Sequence, residues 1–488
     1  MINVNGAGAG KLVTEKPSVK TYYYICVFVA CCLAIICAVI CLHVVSEFMP
    51  TVRSVAIFAA LILVGSVPAR LLRMLSVKWE LPAMLALAAA LYVLAFIFIK
   101  VELTGDIKGY YDRAWYFAYD RLYGLNYAAA FPHIMRYPKF LSYFIRLFGD
   151  GAEVYFGINL CAVLGAAAIV YRFRAQLGRP AARLAAFIFV FNPLIIVYCL
   201  VPNAELLYGF CALAALYLHV SLSNGNFAWR CAKYLAVGCC CAAANYFRPL
   251  GVIALIAIAI DLLFREGVKK AGYALIIAVP FTAGIVLMNA QTETITGYKP
   301  VVSPYGWNLY VGASENGTWN EADGERFSRI SDELNDDPGE IQAFFRDAGV
   351  ERYKAMGLSV FRLFYKKLNL FDVKNHINSF LKDALRRFGP DSPVVLALNG
   401  GIISLCFFVF YLMAFFGAAY GLISRKCGDR LAFLAAVYLL GSFLVFLILE
   451  AAHRHIISYM PLFSVLAANA AEFPEKLKLR FRKKIPER

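Results

Sequence analysis

Residues 81–100 read LPAMLALAAALYVLAFIFIK, and this stretch decides the fold class. None of its residues before Lys100 is charged. A helix of this length is about 30 Å long, and crossing a hydrocarbon core of about 30 Å takes about 20 apolar residues. The stretch lacks the alternation of apolar and polar residues that marks a strand of a membrane β-barrel. It therefore predicts a transmembrane α-helix.

Comparable apolar runs recur along the chain, in which 61% of the 488 residues are hydrophobic and 16% are charged. Soluble domains carry about 25% charged residues. In lipid every backbone N–H and C=O needs an internal partner, which a helix supplies. The sequence therefore predicts an all-α polytopic membrane protein with about twelve transmembrane helices. These are predicted at residues 22–45, 53–70, 82–100, 153–171, 184–201, 204–221, 231–247, 250–264, 271–290, 396–423, 430–450 and 455–471.

Basic residues mark one side of the predicted membrane. They stand before the first run, in every second connection and after the last run, for example at Lys20, Arg70, Arg179, Arg265 and Arg425. Loops rich in Lys and Arg stay in the cytoplasm, so both termini are predicted there, in a multi-pass protein of the cell membrane. The same residues account for much of the net charge of +16, so nucleic acid is not a predicted partner.

The runs divide the chain into six segments. These are the N-terminal tail with three transmembrane helices (1–100), a first outer loop (101–152), helices four to nine (153–290), a second outer loop (291–395), helices ten to twelve (396–471) and a basic cytoplasmic tail (472–488). We refer to 101–152 and 291–395 as the first and second loops; both are predicted to be extracytoplasmic and to contain short amphipathic helices. All 14 cysteines lie in or beside apolar runs, which indicates helix packing rather than a disulfide framework or a metal site.

Asp106 is the candidate catalytic residue of the first loop. A helix that begins here places Asp106, Tyr110 and Ala114 on one face. Asp106 then either caps an interfacial helix or acts as a general base at the rim of a membrane cavity. Both interpretations are compatible with the sequence.

Further charged residues lie at the predicted outer ends of the helices. Glu205 follows a tight helical hairpin, where it either caps the next helix or lines a functional cavity. Arg248 either extends to lipid headgroups or binds phosphate through its planar guanidinium group. Arg136 and Lys139 flank a Tyr-Pro pair and either bind phosphate or face the membrane interface.

The second loop contains an amphipathic stretch at residues 340–387. Its apolar and basic residues fit a helix that lies on anionic lipid. In a functional alternative, Lys366 or Lys367 extends towards the phosphate of a donor substrate. The Gly-, Asn- and aromatic-rich residues 303–320 are predicted to cover the site and to contact an acceptor.

The order of several short motifs resembles the GT-C superfamily of membrane glycosyltransferases, and most closely the family-39-type enzymes related to protein O-mannosyltransferases and the aminoarabinose transferase. The motifs cover roughly residues 100–470: Asp106 with Tyr110, Tyr111 and Ala114; Tyr137-Pro138; Phe148-Gly149-Asp150; Asn159; Asn192-Pro193; Asn203-Ala204-Glu205; Arg248-Pro249; residues 305–312 and 317–320; His453-Arg454-His455; and Tyr459-Met460-Pro461. The chain departs from the pattern where the family's common Asp-Glu pair appears as Asp106-Ile107.

The resemblance implies an inverting glycosyltransferase that moves a sugar from a polyprenyl-phosphate donor to an unidentified acceptor, without a metal or another cofactor. Asp106 is then the general base, and the donor phosphate is held by cations. Those cations are Arg248, Arg136, Lys139 and Lys366. The residues implied to line the cavity or to contact the acceptor are Tyr110, Tyr137, Glu205, Asn308, Trp319 and Arg454.

Two other classes of membrane protein remain as alternatives. A transporter or flippase of a lipid-linked saccharide predicts repeat symmetry and charges deep within the spans. A non-catalytic assembly protein gives no reason for Asp106, Glu205 and Arg248 to converge. Membrane lipids are expected partners in every case.

Overall fold

The computed structural model describes residues 17–48, 74, 76–99, 101, 103, 105–121, 125–221, 226–267, 272–301, 304–368, 403–423 and 430–468. Every regular element within these ranges is a helix. The predicted transmembrane helix at 53–70 and the basic tail at 472–488 lie outside the described residues.

Twenty α-helices follow one another along the described residues. The α-helices are α1 Pro17–Phe48, α2 Val77–Phe98, α3 Gly105–Ala118, α4 Leu125–Ala130, α5 His133–Phe148, α6 Ala152–Arg172, α7 Arg174–Leu177, α8 Arg179–Val190, α9 Pro193–Cys199, α10 Glu205–Val220, α11 Phe227–Phe247, α12 Gly251–Asp261, α13 Tyr273–Thr296, α14 Gly306–Gly312, α15 Glu321–Glu333, α16 Pro338–Met356, α17 Val360–Lys367, α18 Ile403–Ile423, α19 Arg430–Ile448 and α20 Met460–Ala468. A 3-10 helix at His453–Tyr459 precedes α20.

The long apolar helices identify a multi-pass membrane protein. Among the described residues, four helices are long and apolar enough to cross a membrane, at Lys78–Phe98, Ala152–Leu177, Tyr273–Thr296 and Arg430–Ile448. A bent pair, α8 and α9, is a candidate for a fifth crossing. Shorter apolar helical stretches lie at Tyr24–Val39, Glu205–Val220 and Phe407–Tyr420. The count of about twelve stays a prediction.

Asn192 and Pro193 explain the bend of 50° between α8 and α9. Proline has no N–H to donate and disrupts a continuing helix, but it is favoured in the first turn of a new one. Asn192 caps that new helix, because its Oδ1 accepts from Leu194 N at 2.9 Å. The pair therefore divides one apolar run into two short helices.

Small residues allow the helices to approach one another closely. Five alanines of α8 and α10 are completely buried or nearly so, namely Ala181, Ala182, Ala185, Ala186 and Ala215. Between α11 and α13, a Cβ atom added to Gly238 would lie 2.3 Å from the carbonyl oxygen of Ile277. Such contacts are typical of transmembrane helices, whose association depends on close packing.

Buried ion pairs join the helices at one end of the bundle. Glu80 of α2 is completely buried and binds Arg179 at 2.9 Å and Arg183 at 2.6 Å. Asp261, at the end of α12, binds Arg430 at 2.7 Å and His219 at 2.8 Å. We call this the Glu80–Asp261 end. The basic partners all belong to connections or helix ends that the sequence predicts to be cytoplasmic.

Both loops contribute to a small aromatic cluster beyond the other end of the bundle. Ala130 and Phe131 come from the first loop, while the rest of the cluster comes from the second, namely Trp307, Tyr310, Val311, Ile330, Ile341 and Phe345. The second loop therefore packs against the first, as expected for a segment with too few apolar residues to form its own domain.

Candidate functional site

The first loop presents Asp106 at the start of α3. The helix begins at Gly105, whose φ of 55° lies in the left-handed region that glycine adopts without strain. Tyr110 and Ala114 follow on the same face and are buried, as the spacing predicts. The side chain of Asp106 remains 65% exposed, although protein groups surround it on several sides. It is therefore a carboxylate that a substrate can reach.

Arg454 joins two carboxylates from distant parts of the sequence. Its Nη1 donates to Asp106 Oδ2 at 2.5 Å, and its Nε lies 3.4 Å from Glu205 Oε1. Arg248 reaches Glu205 from the other side, where its Nη2 donates to Glu205 Oε1 and to the Tyr110 hydroxyl at 3.1 Å. The four charged groups form a continuous series, Asp106–Arg454–Glu205–Arg248, which we call the charged series.

Local backbone signals place the two buried members of the charged series. Arg248 is the residue after α11, with an extended backbone (φ −144°, ψ 133°) because the residue before a proline disfavours the helical conformation. Asn203, rather than Glu205, caps α10, since its Oδ1 accepts from Leu206 N at 3.2 Å. Glu205 lies in the first turn of α10 and makes no capping hydrogen bond, so its side chain is available to the arginines.

Asn159 of α6 holds the chain that leads to Glu205. It is completely buried, and its Nδ2 donates to the carbonyl oxygens of Cys199 at 3.2 Å and Val201 at 2.8 Å. These carbonyls lie at the end of α9 and just after it, where no helical donor remains. The amide therefore fixes the link between α9 and α10, at whose end Glu205 lies.

Arg136 is a third guanidinium group beside the charged series. Its side chain is buried, and none of the described residues forms a hydrogen bond or ion pair with it. His133, one turn before it, has a pKa well below its usual value because of burial and of the nearby Arg248, Arg136 and Arg454. Neutral His133 and three arginines consequently share one region with Asp106.

Glu450 adds another carboxylate two residues beyond α19. Its Oε2 accepts from Asn308 Nδ2 at 3.2 Å, and its backbone N–H donates to Asn308 O at 2.7 Å. Burial raises the pKa of Glu450, with a further increase from the Asp106 charge and an opposing effect of Arg454. Asn308, and through it the second loop, is therefore connected to the site.

Asp106 is the more acidic of these two carboxylates. The nearby charge of Arg454 is the main reason that the pKa of Asp106 lies below its ordinary value, and Arg248 contributes less. Burial opposes this effect. Asp106 is therefore ionised at neutral pH, which a general base requires.

The structure brings together most of the residues implied by the resemblance. Those within or directly beside the charged series are Asp106, Tyr110, Arg136, Glu205, Arg248 and Arg454. Tyr137 is buried against Tyr110, with ring centroids 5.8 Å apart. Asn308 joins through Glu450.

Three predicted residues have other surroundings. Lys139 lies over the rings of Phe117 and Tyr143. The ammonium group of Lys366 binds the Glu315 carboxylate at 3.0 Å, and Trp319 is 57% exposed. None of the contacts that the structure gives them includes a member of the charged series.

Glu450 and His133 were missed by the sequence predictions. Glu450 ends an apolar run, as Glu205 begins one, so the rule that singled out Glu205 also applies to it. His133 follows Phe131-Pro132 and carries no comparable signal. Among the described residues, no group of three or more His, Cys, Asp or Glu side chains has the geometry of a metal site.

The arrangement combines one accessible carboxylate with several buried cations. Ionised Asp106 can accept a proton, while the guanidinium groups of Arg136 and Arg248 can bind an anion through paired N–H groups. The Nε atoms of both arginines are buried and have no hydrogen-bond partner among the described residues. The site thus offers a base beside an anion-binding region.

Comparisons with known proteins identify similar solved structures. No family model matches the chain, and neither does any curated protein. The similar structures are of the archaeal oligosaccharyltransferase AglB from Archaeoglobus fulgidus. Its complex with an inhibitory peptide and a dolichol-phosphate has a TM-score of 0.42 and 13% identity, over 84% of this chain and 52% of that one. The apo form has a TM-score of 0.43 and 14% identity, over 84% of this chain and 53% of that one.

The chain spans about half the length of the archaeal protein chains. At these identities and TM-scores, the likeness carries no information about activity.

Proposed function

We propose that this chain is an inverting glycosyltransferase that moves a sugar from a polyprenyl-phosphate donor to an extracytoplasmic acceptor. The observation that carries the proposal is the charged series, in which accessible Asp106 lies beside buried arginines at one end of the membrane helices. A phosphodiester leaving group needs its developing charge stabilised, and positioned cations provide this. The acceptor is then a hydroxyl-bearing component of the cell envelope, either a polymer, a glycolipid or a protein.

The reaction follows from the positions of the charges. Asp106 removes the proton of the acceptor hydroxyl as its oxygen attacks the anomeric carbon from the face opposite the phosphate. The bond between that carbon and the phosphate oxygen breaks, and its electron pair leaves with the lipid phosphate. Arg136 is the best-suited phosphate ligand, because no described carboxylate pairs with its charge. Arg248 can contribute donors but is already paired with Glu205.

The proposed orientation of the protein in the membrane follows from the rule that loops rich in Lys and Arg stay in the cytoplasm. Arg179 and Arg430 lie at the Glu80–Asp261 end of the helices. The site lies at the opposite end. With these arginines in the cytoplasm, the site and both loops face the outside, where lipid-linked donors are used after translocation. Lys139 and Lys366 then contact lipid headgroups more readily than the donor phosphate.

Replacing Asp106 by asparagine tests the proposal. Purified protein in nanodiscs is given a panel of undecaprenyl-phosphate-linked hexoses and pentoses, and the release of undecaprenyl phosphate is measured. D106N is expected to lower release by about 10²-fold to 10⁴-fold, because it removes the base but keeps the shape of the side chain. Binding of undecaprenyl phosphate is expected to remain.

Asp112 provides a matched control on the same helix. It is partly exposed and pairs with Lys108 at 2.5 Å, away from the charged series. D112N is therefore expected to retain the wild-type rate. Full activity in D106N would refute the assignment of the base. In vesicles that contain the protein, movement of intact lipid-linked sugar across the bilayer without release of lipid phosphate would favour the flippase alternative.

A further inference from the structure

The segment that joins α19 to the 3-10 helix leads directly to Arg454, and the second loop holds it by its backbone. The N–H of Glu450 donates to Asn308 O at 2.7 Å, and the N–H of the next residue, Ala451, donates to Gly317 O at 2.9 Å. The Asn308 side chain adds a bond from its Nδ2 to Glu450 Oε2 at 3.2 Å. Two consecutive N–H groups of the segment therefore bond to the second loop rather than within a helix.

The carbonyl oxygens just before these N–H groups are held by the same loop. Ile448 O accepts from the Tyr353 hydroxyl at 2.6 Å, and Leu449 O accepts from Lys367 Nζ at 2.9 Å. The end of a helix leaves such groups without internal partners, so the loop supplies them. We call the loop residues that contact or closely approach the segment the clamp, namely Asn308, Gly312, Gly317, Tyr353 and Lys367.

Gly312 brings the backbone of the loop against the backbone of the segment. A Cβ atom added to Gly312 would lie 2.6 Å from Ile448 O and 2.9 Å from Glu450 N. Glycine permits such a close approach of two backbones because it has no side chain. Backbone atoms cannot rotate away as a flexible side chain can, so a methyl group at this position would displace the segment from the loop.

Arg454 lies between two anchored points of the chain. Before it, only Ala452 and His453 separate it from Ala451, the last residue that bonds to the clamp. After it, the 3-10 helix packs closely on α10, where a Cβ atom added to Gly209 would lie 3.0 Å from Ser458 O. A displacement of the segment at the clamp is therefore passed on to the backbone of Arg454.

We propose that the second loop positions Arg454 for the reaction, with Asn308 and Gly312 as the positioning residues. The inference rests on the proposed glycosyl transfer. Arg454 Nη1 donates to Asp106 Oδ2 at 2.5 Å, and Arg454 Nε lies 3.4 Å from Glu205 Oε1. Both contacts depend on where the backbone places the guanidinium group. Asn308 and Gly312 act through that backbone, and the second loop thereby sets the environment of the base.

A displacement of Arg454 has a defined effect on Asp106. The charge of Arg454 is the main cause of the lowered pKa of Asp106, and the attraction between opposite charges falls as they separate. A weakened clamp therefore raises the pKa of Asp106, so that the base is protonated at a higher pH than in the wild type. The charged and titratable groups that face Asp106 are Arg454, Arg248, His133, Glu450 and Tyr127.

Infrared titration of Asp106 tests the proposal without turnover. The carbonyl stretch of the protonated Asp106 carboxyl group is identified in purified protein as the band that D106N lacks. Arg454→Gln is expected to raise its titration midpoint by about 1 unit, the effect of removing an adjacent opposite charge. Gly312→Ala and Asn308→Ala should move the midpoint in the same direction by part of that amount. N308A removes no backbone contact and decides the question if G312A does not fold.

Asp337→Ala is a control for destabilisation of the second loop. Asp337 caps α16 by accepting from Gly339 N at 2.9 Å and Glu340 N at 2.8 Å, at the opposite end of this helix from Tyr353. D337A is expected to lower the Tm of the protein because it removes the cap. The titration midpoint of Asp106 should nevertheless keep its wild-type value, since the clamp is intact.

Double variants test whether the effect passes through Arg454. When N308A or G312A is added to R454Q, the midpoint of Asp106 is expected to stay where R454Q alone places it. The positioning residues have no arginine left to move in that background. Wild-type midpoints in both single variants, or a further displacement of the same size in the R454Q background, would overturn the proposal.

The pH profile of kcat/KM for donor turnover extends the test to the reaction. Its acid limb should move to higher pH in N308A together with the infrared midpoint, and Asn308→Gln, which keeps the amide, should recover part of the displacement. If the infrared midpoints move but no donor is turned over even by the wild type, the proposed function fails and the positioning of Arg454 stands. If the wild type turns over a donor but neither positioning variant moves the midpoint, the proposed function stands and this inference fails.

Discussion

Arg454 is the residue at which the two carboxylates of the charged series meet. Asp106 and Glu205 lie far apart in sequence, and the guanidinium fork can contact both because its N–H groups point in different directions. Glu205 has a second cation in Arg248, so its charge stays compensated without Arg454. Asp106 has no such alternative among its described ion pairs. The pKa of Asp106 therefore depends on Arg454.

Replacing Arg454 by glutamine is expected to raise the pKa of Asp106, because the nearby Arg454 charge is the main cause of its lowered value. The reaction needs ionised Asp106, so activity will be lost at a higher pH on acidification than in the wild type. The pH profile of kcat/KM for donor turnover measures this. Arg454→Lys keeps the charge and should show a smaller displacement; an unmoved acid limb in R454Q would contradict the assignment.

At the scale of elements, the second loop holds the C-terminus of α19. The ammonium group of Lys367 donates to the carbonyl oxygens of Leu447 at 2.8 Å and Leu449 at 2.9 Å, and the Tyr353 hydroxyl donates to Ile448 O at 2.6 Å. The last carbonyls of a helix have no internal donors, so Lys367 and Tyr353 satisfy them. Lys367 thus positions the segment that carries Glu450, and its amino group contacts these carbonyls in the structure.

The burial of Lys367 predicts a pH-dependent stability. Burial lowers its pKa from 10.5 to about 7. Between these values the unfolded chain binds more protons than the folded protein, so the free energy of unfolding rises with pH and is lowest below about 7. Lys367→Met removes this dependence. The Tm of the wild type, measured in detergent, should therefore increase relative to that of K367M between about pH 7 and 10.

Lys354 is a suitable control for this experiment. It lies on α16 in the same loop, is exposed and pairs with Glu351 at 2.8 Å. The contact with Glu351 raises the pKa of Lys354, so this residue does not titrate over the same range. The Tm difference between the wild type and K354M should stay constant. A constant difference for K367M as well would show that Lys367 is not buried as described.

At the scale of the whole molecule, charges are concentrated at the two ends of the helices. In α19, Arg430 begins the helix and Glu450 follows its end, so about 30 Å separates them at 1.5 Å per residue. This is close to the thickness of the hydrocarbon core of a bilayer. One end carries the Glu80–Asp261 ion pairs and the other carries the charged series. The apolar length between them is what the membrane covers.

Cysteine labelling tests the proposed orientation. A cysteine replacing Asp332, which is exposed on α15 of the second loop, should react with an impermeant maleimide in intact cells. A cysteine replacing Gln176, exposed on α7, should react only after permeabilisation. The protein without added cysteines measures background labelling of the native thiols. The opposite pattern would place the site in the cytoplasm and exclude an extracytoplasmic acceptor.

The apolar runs in the sequence were sufficient to predict helices as the type of element. Apolar runs require helices in lipid, and the described runs form them. The shared face of Asp106 and Tyr110 also followed from the local helix repeat. These are short-range properties, which depend on residues a few positions apart.

Only the tertiary structure decided which charges meet. Arg454 binds Asp106 across 348 positions, and no periodicity relates such distant residues. Lys366 and Lys367 are adjacent in sequence, yet one contacts exposed Glu315 while the other is buried at the end of α19. Composition determined a membrane-embedded helical protein. Helix packing determined how its charges pair, because the partners of Asp106, Glu205 and Asp261 come from distant parts of the chain.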